Sequence, residues 1–356
     1  MKIKSYLNVV VLLCIVFINM QYVNGGAYNN LIIKNEIQLA SGLVNEPVVY
    51  NKVLYYILQY RLYAVDVETG KTLWVKEYDD NFCSSPVVDD DSVLMGSANY
   101  KLCSFSVKDG EIEWEVQSEG VVNSIPIVDG NNVYFLGFDG KIYNIDLKTG
   151  YLVWKLEIEP RGFDSNITPS LISKDNNIYG VTYNGKAFAV DYINGEVHWI
   201  TDLGTKVEST PVIKDNNIYI CTHDGEIIVI NKENGELLWK TKISSRKITT
   251  TPTIYNNLLI VPSSDSNVYG VNINERNVKW TYDLKSVPGY GKLAVLGDTI
   301  VVNTKEKVIA LDPNEGGEMY VINHRDTNKS NNIPVYSFPY LIYWGNDYIH
   351  VYELIE

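Results

Sequence analysis

The chain has 356 residues, more than one hydrophobic core usually serves, so two domains or a repeat architecture are expected. With 46% hydrophobic and 21% charged residues it is not a disordered chain, and four Cys are too few for a disulfide-dense scaffold. A formal net charge of −13 argues against nucleic-acid partners and against charge-driven binding to anionic membranes.

The N-terminus reads as an address. Lys2 and Lys4 precede ten apolar residues, Val9 to Ile18, followed by a more polar stretch and the small residues Gly25, Gly26 and Ala27. That layout predicts a secretory signal peptide over residues 1–25, cleaved after Gly25, with cleavage after Ala27 as second choice. Ten apolar residues are short for a bilayer span, so an uncleaved anchor is the weaker reading. Leu13 before Cys14 is not the small residue a lipoprotein signal wants. Losing Lys2 and Lys4 takes the net charge from −13 to −15. No later segment reads as a membrane span.

Residues 26–356 read as a single domain built on one repeat. YAVDVETGKTLW ends at Trp74, and related segments end at Trp114, Trp154, Trp199, Trp239 and Trp280, with a degenerate copy at Tyr320. The spacings are 40, 40, 45, 40, 41 and 40 residues. Pro47, Pro86, Pro126, Pro169, Pro211, Pro252 and Pro334 each open a short apolar run upstream of a repeat.

Each repeat reads as four strands, A to D. In the third they are predicted at 126–129, 133–137, 141–147 and 151–157. Asp139-Gly140, Asn184-Gly185 and Asp224-Gly225 predict two-residue type I′ hairpins between B and C. Four antiparallel strands per 40 to 45 residues predict β-propeller blades. Pro suits strand A as an edge facing the central channel. There are eight A–B–C units, and the last ends without a strand D. Leu31 to Ile37 has no partner of its own, so it is expected to supply that strand. The fold class expected is therefore an all-β, eight-bladed propeller whose ring an N-terminal strand closes. Seven blades would strand a complete unit.

The motif A-x-D-x-x-x-G-x-x-x-W, complete at Ala64-Asp66-Gly70-Trp74 and Ala189-Asp191-Gly195-Trp199, resembles the tryptophan-docking repeat of pyrroloquinoline-quinone-like propellers. That superfamily includes quinoprotein alcohol dehydrogenases and BamB-like proteins. The resemblance covers residues 31–356 and implies the fold; fold alone does not imply activity.

The repeated Trp74, Trp114, Trp154, Trp199, Trp239 and Trp280 share one phase, which marks structural docking residues and not a ligand cage. Asp66, Asp146, Asp191, Asn231, Asn272 and Asp312 are read as turn-formers, as is Ser106, which departs from the pattern. Relatives that are quinoprotein dehydrogenases carry adjacent cysteines against the quinone, and no Cys-Cys pair exists here, so no cofactor is expected. Cys83, Cys103 and Cys221 read as small buried residues, with strand B holding Cys83 and Cys103 too far apart to bridge. The four His have no ligand spacing, and Asp89-Asp90-Asp91 reads as a solvated turn. Asn166 and Asn328 stand in N-glycosylation sequons.

The function expected is that of a secreted, monomeric, non-catalytic propeller that binds a protein or extracellular polymer. A cofactor-dependent oxidoreductase and a carbohydrate-active propeller are the other readings. Strand order puts B–C turns and D–A loops on one face and the uniform A–B and C–D turns on the other. The first face collects the irregular insertions, so Tyr60, Tyr100, Arg161, Phe163, Arg246, Tyr290 and Arg325 are the candidate binding residues.

Overall fold

The computed structural model describes residues 30–39, 45–159, 170–288, 293–296, 298–304, 307–323, 335–337, 340–344 and 348–355. These form eight four-stranded antiparallel sheets. Blades 1 to 7 each run A–B–C–D in chain order, beginning at Val48, Val87, Ile127, Ile172, Val212, Thr253 and Ala294. In blade 3 the strands are Ile127–Asp129, Asn132–Leu136, Lys141–Asp146 and Leu152–Glu157, each within a residue or two of the expected limits. In blade 8 the strands Val335–Ser337, Tyr340–Trp344 and Tyr348–Ile355 take Asn30–Gln38 as their outer partner, as expected.

The apolar cores lie between blades. Leu94 and Leu102 of blade 2 pack with Val133, Phe135, Tyr143 and Ile145 of blade 3. Leu54 and Tyr56 of blade 1 share a core with Tyr340, Ile342, Ile349 and Val351 of blade 8, so the first and last blades meet. Strand C alternates between the two neighbours, which is why its side chains are buried on both faces, as in Lys141–Asp146.

The repeated Trp is the inter-blade clasp. Trp74, Trp114, Trp199 and Trp280 donate their indole N–H to Val107, Leu147, Lys232 and Pro313 carbonyls of the next blade at 2.8–3.0 Å, and Trp154 reaches Tyr192 at 3.3 Å. Each ring lies on the next blade's C–D glycine. At Gly150 a Cβ would come within 2.7 Å of the Trp114 ring, and φ is +72°, so only glycine fits without strain. Trp239 departs from this scheme: Arg276 holds the glycine position at φ +60°, and its guanidinium lies 5.9 Å from the Trp239 ring centroid.

The eighth clasp is not a Trp. Every D strand of blades 1 to 7 shifts register beside the clasp position, as between Ala64 and Val65. The N-terminal strand has the same shift between Ile33 and Asn35, which puts Asn35 in the clasp position. Its side-chain amide donates to the Val67 carbonyl and its Oδ1 lies 3.1 Å from where a Cβ of Gly70 would stand.

The motif acids and amides are turn-formers. Asp66 Oδ1 accepts from Thr69 N–H at 2.7 Å and Asn231 Oδ1 from Glu233 N–H at 2.8 Å. The hairpin expectation needs correction. Between B and C of blade 3, Gly137 to Gly140 form a turn closed by Gly140 N–H to the Gly137 carbonyl at 3.1 Å, and Gly140 takes φ +75° while Asp139 does not take positive φ. Asp139 instead accepts a hydrogen bond from the Tyr143 hydroxyl at 2.5 Å. Turns with two consecutive positive φ values occur between A and B, at Asn51-Lys52 (48° and 64°) and Asp175-Asn176 (51° and 60°). Asp90, read as merely solvated, accepts from the Tyr50 hydroxyl of blade 1 at 2.8 Å and so ties two blades.

Candidate functional site on the loop-rich face

Blades 1 and 2 make short B–C connections. Gln59-Tyr60 is a two-residue turn between Leu58 and Arg61, with Gln59 at φ +58°. Tyr100 occupies the slot filled by Gly140, Gly185 and Gly225 in blades 3 to 5 and takes φ +65° there. A bulky residue is rarely left-handed, and the conformation costs about 1–3 kcal/mol where it occurs. The residue just past strand D holds it there: Ser118 donates its N–H to the Tyr100 carbonyl at 2.7 Å, and its hydroxyl lies 2.8 Å from the same oxygen and 2.6 Å from the Gly120 carbonyl. Tyr100 stays 46% exposed, and Tyr60 55%.

Arg246 lies exposed on the D–A loop between blades 5 and 6. Its N–H donates to Ser244 Oγ at 3.0 Å, and the Ser244 hydroxyl bonds Asp265 at 2.7 Å. Gly225 permits the approach, since a Cβ there would sit 2.2 Å from the Ser244 carbonyl oxygen. Arg161, Phe163, Tyr290, Arg325 and the sequon residues Asn166 and Asn328 lie outside the described residues.

Sequence reading missed a charged cluster on the same face. Glu208 is buried in the loop before strand A of blade 5. One carboxylate oxygen lies 3.0 Å from His223 Nε2 and the other 3.4 Å from Lys247 Nζ. The Tyr183 and His223 rings meet edge-to-face at 5.8 Å, and Lys206 Nζ lies over the Tyr183 ring at 4.9 Å. These residues come from loops of blades 4, 5 and 6, so no linear motif announces them.

Glu46 stands just before strand A of blade 1, where sibling blades place Ser85, Ile125, Thr210 and Thr251. Burial pushes its carboxyl up from 4.5 to about 7. The folded state therefore holds this proton more tightly than the unfolded chain. That stabilisation is complete below pH 4.5 and is lost as pH rises through 7. Glu46→Gln should flatten this part of the profile, raising stability above neutrality by about 1–3 kcal/mol; parallel urea titrations at acid and neutral pH check it.

Asp80, Cys103 and Glu115 bring possible metal donors within 4.8 Å of one another. Lys101 Nζ lies 3.1 Å from Glu115 and 4.0 Å from Asp80, so an ammonium already neutralises the carboxylates. Burial pushes the Cys103 thiol well above its ordinary range, which favours the neutral thiol over a metal-binding thiolate. Cys83 and Cys221 are likewise free thiols, with burial taking Cys83 up to about 12.

The opposite face is less uniform than its turn sequences imply. Tyr151, Leu152 and Val153 are exposed at the start of strand D of blade 3, as are Leu237 and Leu238 in blade 5. A groove opens between blades 4 and 5 beside Trp199.

The family model described as "Outer membrane protein assembly factor BamB" matches residues 30–203 and 188–334. BamB from Moraxella catarrhalis shares the fold, with a TM-score of 0.77 at 16% identity over 91% of this chain and all of that one. The computationally designed protein Ika8 gives 0.72 at 14% identity over 89% and 98% of the two chains. Quinohemoprotein alcohol dehydrogenase from Comamonas testosteroni gives 0.72 at 11% identity over 91% of this chain and 76% of that one. No curated protein matches in sequence. Among the described residues no helix is long and apolar enough to cross a membrane.

Proposed function

We propose, from the premise that this chain belongs to the family of the outer membrane protein assembly factor BamB, that it is a secreted, non-catalytic scaffold binding a protein partner through the loop-rich face. The observation that carries this reading is the exposed Tyr100 held at φ +65° where blades 3 to 5 use glycine and blade 6 the small Ser266. Conformational strain retained at an exposed aromatic is better accounted for by recognition than by stability. Tyr60 in the adjacent blade presents the same residue type, and Arg246 and the Glu208 cluster extend the polar character of the face. Likeness to the quinohemoprotein dehydrogenase is likeness of fold, and this sequence lacks the adjacent cysteines of quinoprotein relatives.

The test is site-specific photo-crosslinking in the native host's extracytoplasmic fraction. A photoreactive residue at 60, 100 or 246 should give one discrete protein adduct, and one at Asp109 or Asn194 on the opposite face should not. Tyr100→Gly should abolish the adduct formed from position 60 while leaving the melting temperature unchanged or raised. Adducts confined to 109 and 194 would overturn the assignment of the face.

A further inference from the structure

The loops that enter blades 2, 3, 5 and 6 share one backbone arrangement. In each, a carbonyl accepts an N–H from the B–C turn of the blade it enters: Asn81 from Ala98 at 2.8 Å, Val121 from Phe138 at 2.9 Å, Lys206 from His223 at 2.9 Å and Lys247 from Ser264 at 3.2 Å. The next residue is apolar and buried every time, as Phe82, Val122, Val207 and Ile248. The four positions are therefore equivalent, and the fold requires of them only a carbonyl and a buried neighbour. The side chains vary, and they vary by sector. The position and the residue before it read Asp80-Asn81 and Gly120-Val121 at blades 2 and 3, but Thr205-Lys206 and Arg246-Lys247 at blades 5 and 6.

Lys206, Arg246 and Lys247 are exposed. Glu208 is the one acid in residues 203–211 and 243–252, and it is buried, shared between His223 and Lys247. Among the described residues neither Lys206 nor Arg246 has an ion-pair partner. The loops are also tied back to the preceding blade, by Val207 N–H to the Tyr183 carbonyl at 2.9 Å and Ile248 N–H to the Thr222 carbonyl at 3.0 Å. Cations in excess of any structural need thus stand on preformed loops in a chain of net charge −13. Elsewhere the face differs. The loop into blade 2 carries Asp79 and Asp80 and no cation, and that into blade 3 carries only Glu119, which Lys141 and Lys155 neutralise.

We infer that the partner of the loop-rich face docks a short acidic peptide segment against Lys206 and Arg246. This rests on the reading of that face as the partner's and specifies the chemistry recognised there. The Arg246 guanidinium can take a carboxylate through two parallel N–H bonds, and the Lys206 ammonium supplies a point charge beside it. Preformed loops lose little freedom when such a segment binds. Charge selects against larger polyanions. A bilayer surface or a polynucleotide lying across the face would also meet Asp79 and Asp80, and the chain's negative charge repels both. A short acidic segment needs only the cationic sector, and the sorting of charge around the ring fixes its register.

Fluorescence anisotropy of labelled hexaglutamate with the full chain at low ionic strength tests it, with labelled hexalysine and phosphatidylglycerol vesicles as the comparison arms. Hexaglutamate should bind saturably, and salt should weaken it. Lys206→Gln with Arg246→Gln should weaken binding by about ten-fold or more, equivalent to about 1.4 kcal/mol. Lys108→Gln with Lys148→Gln removes the same charge from exposed C–D turns of the opposite face and should leave binding within about two-fold. All four side chains are exposed, so folding should be retained, which the thermal melt verifies. Saturating hexaglutamate should also suppress the partner adduct formed from position 60. No saturable hexaglutamate binding, equal losses in the two double variants, tighter binding of hexalysine or of the vesicles, or an undiminished adduct would overturn the proposal. Each of these leaves the assignment of the face standing, whose own failure shows separately as adducts confined to 109 and 194.

Discussion

Deleting residues 28–38 should lower the thermal midpoint by about 10 °C or more and produce aggregation on heating. The N-terminal strand pairs along its whole length with the last strand, from Asn30 opposite Ile355 to Gln38 opposite Tyr348. Without it, Tyr348–Ile355 becomes a long unpaired edge, the kind of backbone template that recruits other chains. Ile37 also leaves the core shared by blades 1 and 8, and Asn35 no longer clasps Gly70 and Val67. Differential scanning calorimetry with light scattering reads both effects. A truncated protein that melts at the parent temperature and stays monodisperse would show that this strand contributes nothing to the ring.

Trp114→Ala should cost about 3–5 kcal/mol, the usual penalty for truncating a buried aromatic. Trp114 is 8% exposed, packs in the core of blades 2 and 3 and covers Gly150. Its 2.8 Å hydrogen bond to the Leu147 carbonyl is lost as well. Trp239→Ala should cost markedly less, because that ring is half-buried, makes no indole hydrogen bond and faces Arg276 in place of a glycine. Urea denaturation of the two variants measures the difference. Equal costs would mean that the glycine contact and the hydrogen bond are incidental to the clasp.

The blades were legible because repetition amplifies a weak signal. One Trp says little about its surroundings, but six at spacings of 40 to 45 residues fix both period and phase. Asn35 was not legible as a clasp. It has no Trp and no glycine turn before it, and only its register against Val351 reveals the equivalence. The B–C turn type was misjudged because Asp-Gly is compatible with several turns, and the Tyr143 hydroxyl decides between them at Asp139. On the candidate faces, Tyr60, Tyr100 and Arg246 could be placed by strand order alone. Glu208 with His223 and Lys247, or Asp175 with Lys232, could not, since each group joins segments that meet only when neighbouring blades pack.

The pairing of Asn30–Gln38 with Tyr348–Ile355 has a consequence for biosynthesis. The outer strand of blade 8 is made first and its partner last, so the ring completes only when the ribosome has passed Tyr348. A chain that stops short presents an unsatisfied strand at its N-terminus, a ready signal to proteases and chaperones that the product is incomplete. Waiting across roughly 310 residues is thermodynamically mild, because loop-closure entropy grows only with the logarithm of length. The cost is kinetic, and the pairing of the ring's first and last strands becomes a check that every blade between them has been made.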